Sequence, residues 1–275
     1  MKGHDMKATV LSDNIPSEHL GCEWGLSIFI EYNEKHILLD AGASALFLKN
    51  ADTLGISVSD VDFAVLSHAH YDHADGMKYF FEANKSAPFY LRESSREDCY
   101  KGIWNYKKYI GLPKGVLKQY KDRILFVSGD YSPEIGVYLI PHKTPGLEKK
   151  GIREHMYLKE KRHWKPDNFS HEQSLVFDTP DGLVIFNSCS HGGADNIIRE
   201  VSATFPDKKV KALVGGFHLY NKTDEEILAL ADGIRSTGIS EIYTGHCTGD
   251  HAFELLKEAL GDSVHKLHAG LVMEF

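Results

Sequence analysis

The sequence predicts an α/β protein in which two sheets pack face to face with helices on the outside. Three observations lead there. Two apolar runs near the start are joined by a short polar turn, strand-like and helix-like stretches alternate through the second half, and a chain of 275 residues with 42% apolar composition can bury a large core. We read it as one domain, 1–275, carrying a basic loop or insertion at about 142–170.

The elements follow in order. Residues 26–30 and 36–39 are apolar runs separated by Asn33, Glu34 and Lys35, the pattern of a β-hairpin. A short helix is expected over 45–50, a buried strand over 61–66 and a helix over 76–83. In the second half, strands at 175–177 and 183–186 flank the turn Pro180-Asp181-Gly182, and a helix follows over 194–203. Residues 212–214 read as a strand. Thr223 and Glu226 have capping-box spacing and open a helix with Ile227, Leu230 and Ile234 on one face. A strand at 242–243 and a helix over 253–260 complete the pattern. Between His142 and Lys165 stand eight Lys or Arg against three Glu without clean periodicity, which reads as a solvated loop or as a lid bringing cations to an anionic substrate.

Charge and composition narrow the function. The net charge of −8, from 31 Lys plus Arg against 39 Asp plus Glu, provides no global positive field for a nucleic-acid backbone, so nucleic acid is not expected as the main partner. No apolar run approaches the roughly 20 residues that cross a bilayer, and Met1-Lys2-Gly3-His4-Asp5 lacks the apolar stretch of a secretory signal. A cytoplasmic protein without membrane association is the expectation. Cys22, Cys99, Cys189 and Cys247 are widely spaced with no CxxC pair, which suggests neither a disulfide scaffold nor an all-cysteine zinc site. The 16 histidines point toward a metal instead.

The densest chemistry lies at Ser67-His68-Ala69-His70-Tyr71-Asp72-His73, directly after an apolar strand. Zinc accepts imidazole nitrogen and carboxylate oxygen, and a compact loop can turn His68 and His70 toward one ion while Asp72 and His73 face a second. Further ligands must come from other strand ends. His191, in Ser188-Cys189-Ser190-His191-Gly192-Gly193, and His246, in Gly245-His246-Cys247, each follow a strand in a glycine-bearing turn and are read as ligands. Cys189 is read as a small buried residue, with a soft ligand as the alternative. His218, in Gly215-Gly216-Phe217-His218, also follows a strand, and we read it as facing substrate: a seventh ligand, an acid for the leaving group, or a donor to oxyanion charge.

HAHYDH beginning at His68 matches the HxHxDH signature of the metallo-β-lactamase fold, a four-layer αββα sandwich with its site along one edge of the two sheets. The segments GLSIFIEYNEKHILLDAG from Gly25, HEQSLVF from His171, CSHGGADN from Cys189, GGFHL from Gly215 and GHCTG from Gly245 resemble one branch of that superfamily. This is the group related to 7,8-dihydropterin-6-methyl-4-(β-D-ribofuranosyl)aminobenzene-5'-phosphate synthase, and the likeness runs from about Lys7 to the C-terminus. The resemblance implies that His68 and His70 hold one metal, Asp72 and His73 the second, and His191 and His246 complete the spheres. It makes Asp40 the acidic residue supporting the metal loop, and His142 a reserve ligand where other members carry their third histidine. One departure is visible: no Asp stands where the superfamily usually has its bridging aspartate. His191 therefore either replaces the usual third histidine or covers the missing bridge, and weaker occupancy of the second metal position is expected.

The leading functional expectation is a metal-dependent hydrolase in which a metal-bound hydroxide, available because bound water can reach a pKa of about 7, attacks a phosphate ester or phosphodiester while Asp72 orients it. Zn2+ is the default cofactor, as one or two ions, with Mn2+, Fe or Mg2+ as alternatives. A small, anionic or phosphorylated molecule is the expected partner. Two rivals stand beside this reading: a pterin-pathway synthase joining a ribofuranosyl-aminobenzene phosphate to a dihydropterin pyrophosphate, and a non-catalytic metal-binding sensor. Redox chemistry at a di-iron centre ranks below them, because no flavin-binding segment is evident.

Overall fold

The structure, a computed structural model, describes residues 6–17 and 19–275. The opening residues 1–5, read above as lacking an apolar leader, lie outside the described residues. Among the described residues, no helix is long and apolar enough to cross a membrane.

Two seven-stranded sheets form the centre. The first runs Val272–Glu274, Met6–Ser12, Ser27–Tyr32, Lys35–Leu39, Phe63–Val65, Phe89–Arg92, Ile124–Val127 in spatial order. The second runs Val264–Lys266, Glu241–Thr244, Val210–Val214, Gly182–Phe186, Gln173–Thr179, Val137–Pro141, Tyr131–Glu134. The expected hairpin pairs Tyr32 with Lys35, so its loop is only Asn33-Glu34, both at positive φ, the backbone that a two-residue hairpin requires.

Alternation of side chains along each strand builds the four layers. In the first sheet Ile28, Ile30, Ile37, Leu39, Phe63 and Val65 point inward and meet Leu175, Phe177, Val184, Phe186, Ala212 and Val214 of the second, forming one buried cluster. The intervening Phe29, Leu38 and Ala64 point outward, against Phe47 and Ala51 of the helix Leu46–Thr53 and Met77, Phe80 and Phe81 of the helix Met77–Ala83. On the far side Val176, Leu183, Ile185 and Leu213 meet Ile197, Val201, Ile227, Ile234, Phe253 and Leu256 from the helices Ala194–Thr204, Asp224–Arg235 and Asp250–Leu260. The αββα sandwich expected from the sequence is present. The Thr223 box also forms: Glu226 N–H donates to Thr223 Oγ1 at 3.4 Å, and Thr223 N–H donates to Glu226 Oε2 at 3.0 Å.

The basic segment, expected as a loop or insertion, carries regular structure. It contains the helix Glu148–Arg153 and a hairpin of Met156–Glu160 with His163–Pro166, which extends Cys99–Ile103 and Tyr106–Tyr109 into a separate four-stranded sheet. Lysines lie over aromatic rings there, Lys107 at 4.6 Å from the Tyr157 centroid and 5.0 Å from that of Trp164, and Lys159 at 5.3 Å from Trp164. Cation–π contact takes the place of aliphatic packing, so the apolar alternation that marks a strand in sequence is missing.

His142, just past Val137–Pro141, ties the second sheet to the helix Ala194–Thr204. Its ring is buried between two carboxylates, with Nε2 on Glu172 and Nδ1 3.1 Å from Glu200, whose other oxygen accepts from Lys143 N, Thr144 N and Thr144 Oγ1. Burial lowers the pKa of this imidazole, but Glu172 and Glu200 outweigh it and raise the group to about 9. A folded-state pKa above the unfolded value of about 6.5 means that the stabilisation is complete below about pH 6.5 and disappears as pH rises through about 9. Urea midpoints measured from pH 6 to 10 should therefore fall across that window. His142→Gln should flatten the fall, and an unchanged slope in the variant would assign it to other groups.

Candidate metal centre

Five strands deliver the site, each at its C-terminal end. Lys35–Leu39 leads into Asp40, Phe63–Val65 into the 67–73 loop, Gly182–Phe186 into Cys189 and His191, Val210–Val214 into His218, and Glu241–Thr244 into His246. The first two strands are parallel neighbours in one sheet and the last three are parallel neighbours in the other, so all five open on the same edge of the sandwich. The backbone there is strained: Asp40, Phe169, Ser190, His218 and His246 all have φ between 49° and 58°, a conformation costing a non-glycine residue of order 1 kcal/mol. The surrounding packing holds these side chains in directions that relaxed turns would not give.

Two ligand clusters result. His68, His70 and His191 bring ligand atoms within 4.8 Å of one another, as do Asp72, His73 and His246, and every one of these residues is buried. Within the first, ring centroids are 4.6 to 5.0 Å apart. Nε2 of His68 and His70 and both ring nitrogens of His191 and His246 have no hydrogen-bond partner. Burial and the neighbouring His73, His70 and His191 push His68 far below the ordinary imidazole range, and burial and His171 push His70 down to about 3, so their lone pairs face one another unprotonated. Burial would raise Asp72, but His73 and His246 outweigh it and keep the carboxylate ionised. Converging buried imidazole lone pairs, uncompensated and joined by a carboxylate, fit divalent transition-metal ions.

A framework of polar side chains sets these orientations. Asp40 is the hub: Oδ1 accepts from Ser67 N–H at 2.7 Å, and Oδ2 accepts from Ser67 Oγ and Ser188 Oγ at 2.6 Å each and from His73 Nδ1 at 2.8 Å. Its bond to His73 leaves that ring's Nε2 facing the cluster. Glu172 accepts from His191 N–H and Gly192 N–H, His171 Nδ1 accepts from Ala69 N–H, and Gln173 reaches the carbonyls of Leu66 and, through its backbone, Ser67. The run His171-Glu172-Gln173 thus braces both ligand loops. Phe169 stacks on His191 with ring planes 1° apart, and Asp13 lies 3.5 Å from His246 Nδ1. Burial lowers His246, yet Asp13 and Asp72 outweigh it and raise its pKa.

All six residues expected as ligands lie in the two clusters. His142 does not join them, because its two nitrogens are engaged by Glu172 and Glu200. His218 lies against the first cluster, 4.5 Å from the His191 ring, with neither nitrogen hydrogen-bonded. Cys189 is buried, as expected, and also lies where the soft-ligand alternative would put it. Its Sγ is 3.3 Å from His73 Nε2 and groups with His68 and His73, one residue from each cluster, so the thiol stands between them where no aspartate is available. In sequence, the thiol chemistry of Cys189 and the departure from the aspartate pattern at that strand end were the signals for this. A cavity of about 170 Å³ opens onto the centre, lined by Asp72, Cys189, His191, His218, Trp24 and Tyr220 among others.

Residues 21–193 match the family model of the metallo-beta-lactamase superfamily. The chain belongs to this superfamily. It is 28% identical to 7,8-dihydropterin-6-methyl-4-(beta-D-ribofuranosyl)-aminobenzene-5'-phosphate synthase of Methanocaldococcus jannaschii, over 91% of this chain and 90% of that protein. Its structure is similar to that of Tm1679, described as a metal-dependent hydrolase of the beta-lactamase superfamily, with a TM-score of 0.85 and 29% identity over 98% of this chain and 99% of the other. Zn(2+)-bound PqqB from Methylobacterium extorquens shares the superfamily fold at a TM-score of 0.56 and 11% identity, over 98% and 100% of the two chains.

The Asp40 hub yields a prediction. Asp40→Ala strands four buried donors and should cost about 3 kcal/mol or more in urea unfolding. Asp40→Asn keeps the shape but removes the charge, and chelator competition should show metal affinity weakened about 10- to 100-fold. Wild-type affinity in Asp40→Asn would remove Asp40 from the metal-supporting role.

Proposed function

We propose that this protein is a metal-dependent hydrolase of phosphate esters or phosphodiesters. The observation that carries the reading is the pair of buried clusters whose unpartnered imidazole nitrogens converge at one sheet edge beside an open cavity. His68, His70 and His191 would hold one ion and Asp72, His73 and His246 a second, with Cys189 between them; zinc is the proposed metal. Ions held there would supply Lewis acidity and a strong nucleophile at neutral pH.

The chain's own residues supply the rest. Asp72, ionised and flanked by His73 and His246 at 3.6 Å each, accepts a hydrogen bond from the attacking water and aims it. His218 faces the cavity with both nitrogens unhydrogen-bonded, Glu154 lying 3.7 Å away, and delivers a proton to the leaving oxygen. Trp24, Tyr71, Ile103, Ile110 and Met156 give the cavity an apolar wall, and Lys101 and Lys108 bring positive charge to its mouth. This combination suits a small anionic ester with an aromatic or apolar leaving group.

A second reading rests on the 28% identical synthase, whose alignment spans nine-tenths of both chains. In it, the same cavity would join a ribofuranosyl-aminobenzene phosphate to a dihydropterin pyrophosphate, the aromatic wall holding a flat ring.

A panel of phosphomonoesters, phosphodiesters and those two pterin-pathway substrates, assayed on metal-replete protein, separates the readings. Hydrolysis of a simple ester supports the first, and pyrophosphate release that requires both pterin-pathway substrates supports the second. Supporting residues alone are worth 10- to 100-fold in metal centres, so His70→Ala should lower turnover by more than about 100-fold and reduce bound metal. Activity that persists in His70→Ala, or after chelation, would overturn a metal-dependent mechanism.

A further inference from the structure

Beside the metal centre, on the other side of His191 and His218, lies a second cavity of about 320 Å³. Three cations converge on it: Lys150 and Arg153 from the helix Glu148–Arg153, and Lys222 from the turn before the helix Asp224–Arg235. Its acidic neighbours are already engaged. Glu154 is held by Lys222 and by Asn221 at 3.1 Å, Glu226 by Arg153 and the Thr223 cap, and Asp195 by Arg199. Lys150 is left over: it is largely buried and has no hydrogen bond or ion pair among the described residues.

The ammonium of Lys150 is aimed at a particular place. A Cβ on Gly193 would come within 2.8 Å of Lys150 Nζ, so the absent side chain leaves room for it. Gly193 precedes the eleven-residue helix Ala194–Thr204, whose N-terminus receives no side-chain cap. Gly193 and Lys150 therefore line one space, with Asp195 of the first turn close by. Crowding of like charges is evident in Lys222, which burial and the nearby Arg153, Lys150 and Lys101 push down to about 8. Asp195, Glu172 and Glu200 offset part of the burial of Lys150, but none is paired with it, so an added anion would still be favoured beside it.

We propose that this cavity is a subsite for a phosphate group of the substrate that does not itself react, held by Lys150, Arg153 and Lys222 while the scissile bond lies at the histidine clusters. The proposal rests on the hydrolase reading for the location of the reacting bond, and it narrows the substrate to a molecule with two separated anionic groups. Three cations against the two carboxylates of Glu154 and Glu226 leave the cavity net positive, which suits an anionic phosphate.

Inorganic phosphate is the probe, titrated calorimetrically into chelator-treated wild type, His70→Ala, Lys150→Gln and Arg153→Gln. Wild type should bind phosphate saturably without metal, and His70→Ala should match it within about twofold. Lys150→Gln should weaken binding at least about tenfold, and Arg153→Gln should weaken it in the same direction. Because Lys150 has no ion pair to lose, Lys150→Gln without phosphate should unfold at a urea midpoint no lower than wild type, which separates lost binding from lost folding. Phosphate binding that needs metal, or that survives in Lys150→Gln while disappearing in His70→Ala, would place the anion at the metal centre alone and overturn the subsite. Absence of saturable binding in metal-free wild type would overturn it as well. None of these readouts requires turnover, so failure of the subsite and failure of the hydrolase reading give different results.

Discussion

The buried carboxylate of Asp40 is the constraint on which the rest of the site depends. It sits at the end of Lys35–Leu39 in the first sheet, yet Ser188, one of its donors, belongs to the second. Through Ser67 it fixes the start of the histidine loop, and through His73 it turns one ring toward the second cluster. A fully buried charge is tolerable only when hydrogen bonds replace its water, and four donors do so here. One of the four, from Ser188, crosses between the two sheets, and Gln173 crosses beside it to Leu66 and Ser67; these directional bonds fix the relative position of sheets whose shared interior is mostly aliphatic and aromatic packing, which gives cohesion but little register. Fixing that position brings His68, His70 and His73 from one sheet against His191 and His246 from the other.

Strain and polarity at the edge are paid for by the core behind it. Five non-glycine residues with left-handed backbone surround the centre, and several buried nitrogens there lack partners. Three large apolar clusters, one between the sheets and one beneath each helical layer, stabilise the scaffold enough to carry these costs. The buried run His171-Glu172-Gln173 passes the rigidity of Gln173–Thr179 directly to the ligand loops. It explains in hydrogen bonds why HEQ stands at the head of that strand: each of the three side chains supports a different part of the metal loops.

The two histidine clusters join two differently lined spaces. Toward Trp24 and Tyr220 the wall is aromatic, with those two rings in edge contact at 6.1 Å. Toward Lys150 and Lys222 it is cationic. His191 and His218 line both, so an extended molecule crossing the centre would meet an apolar surface on one side and positive charge on the other. The basic segment, expected as a solvated loop or a cationic lid, divides instead: Lys159 and Trp164 join Lys107 in the cation–π face of the small sheet, while Lys150 lines the inner cavity and Arg153, half exposed, pairs with Glu226.

By itself, the sequence determined the elements whose signals are local. Apolar runs separated by polar turns marked the strands at 26–30, 36–39, 175–177 and 183–186, and the Thr223 box marked a helix start, because runs, turns and caps involve residues close in the chain. The run from His68 to His73 was equally legible, since its ligand types are packed into six positions. The tertiary structure decided whatever depends on partners distant in sequence. Cys189 lies 116 residues from His73, and nothing near it in the chain shows that its sulfur stands between two clusters. His142 has the residue type of a ligand, but Glu172 and Glu200, 30 and 58 residues away, engage both its nitrogens. Lys150 is one of eight cations in a run, and only the packing of its helix against the Gly193 turn separates it from the others. Sequence specifies which groups are available; folding sets which of them lose water together, and that shared loss of water makes a site.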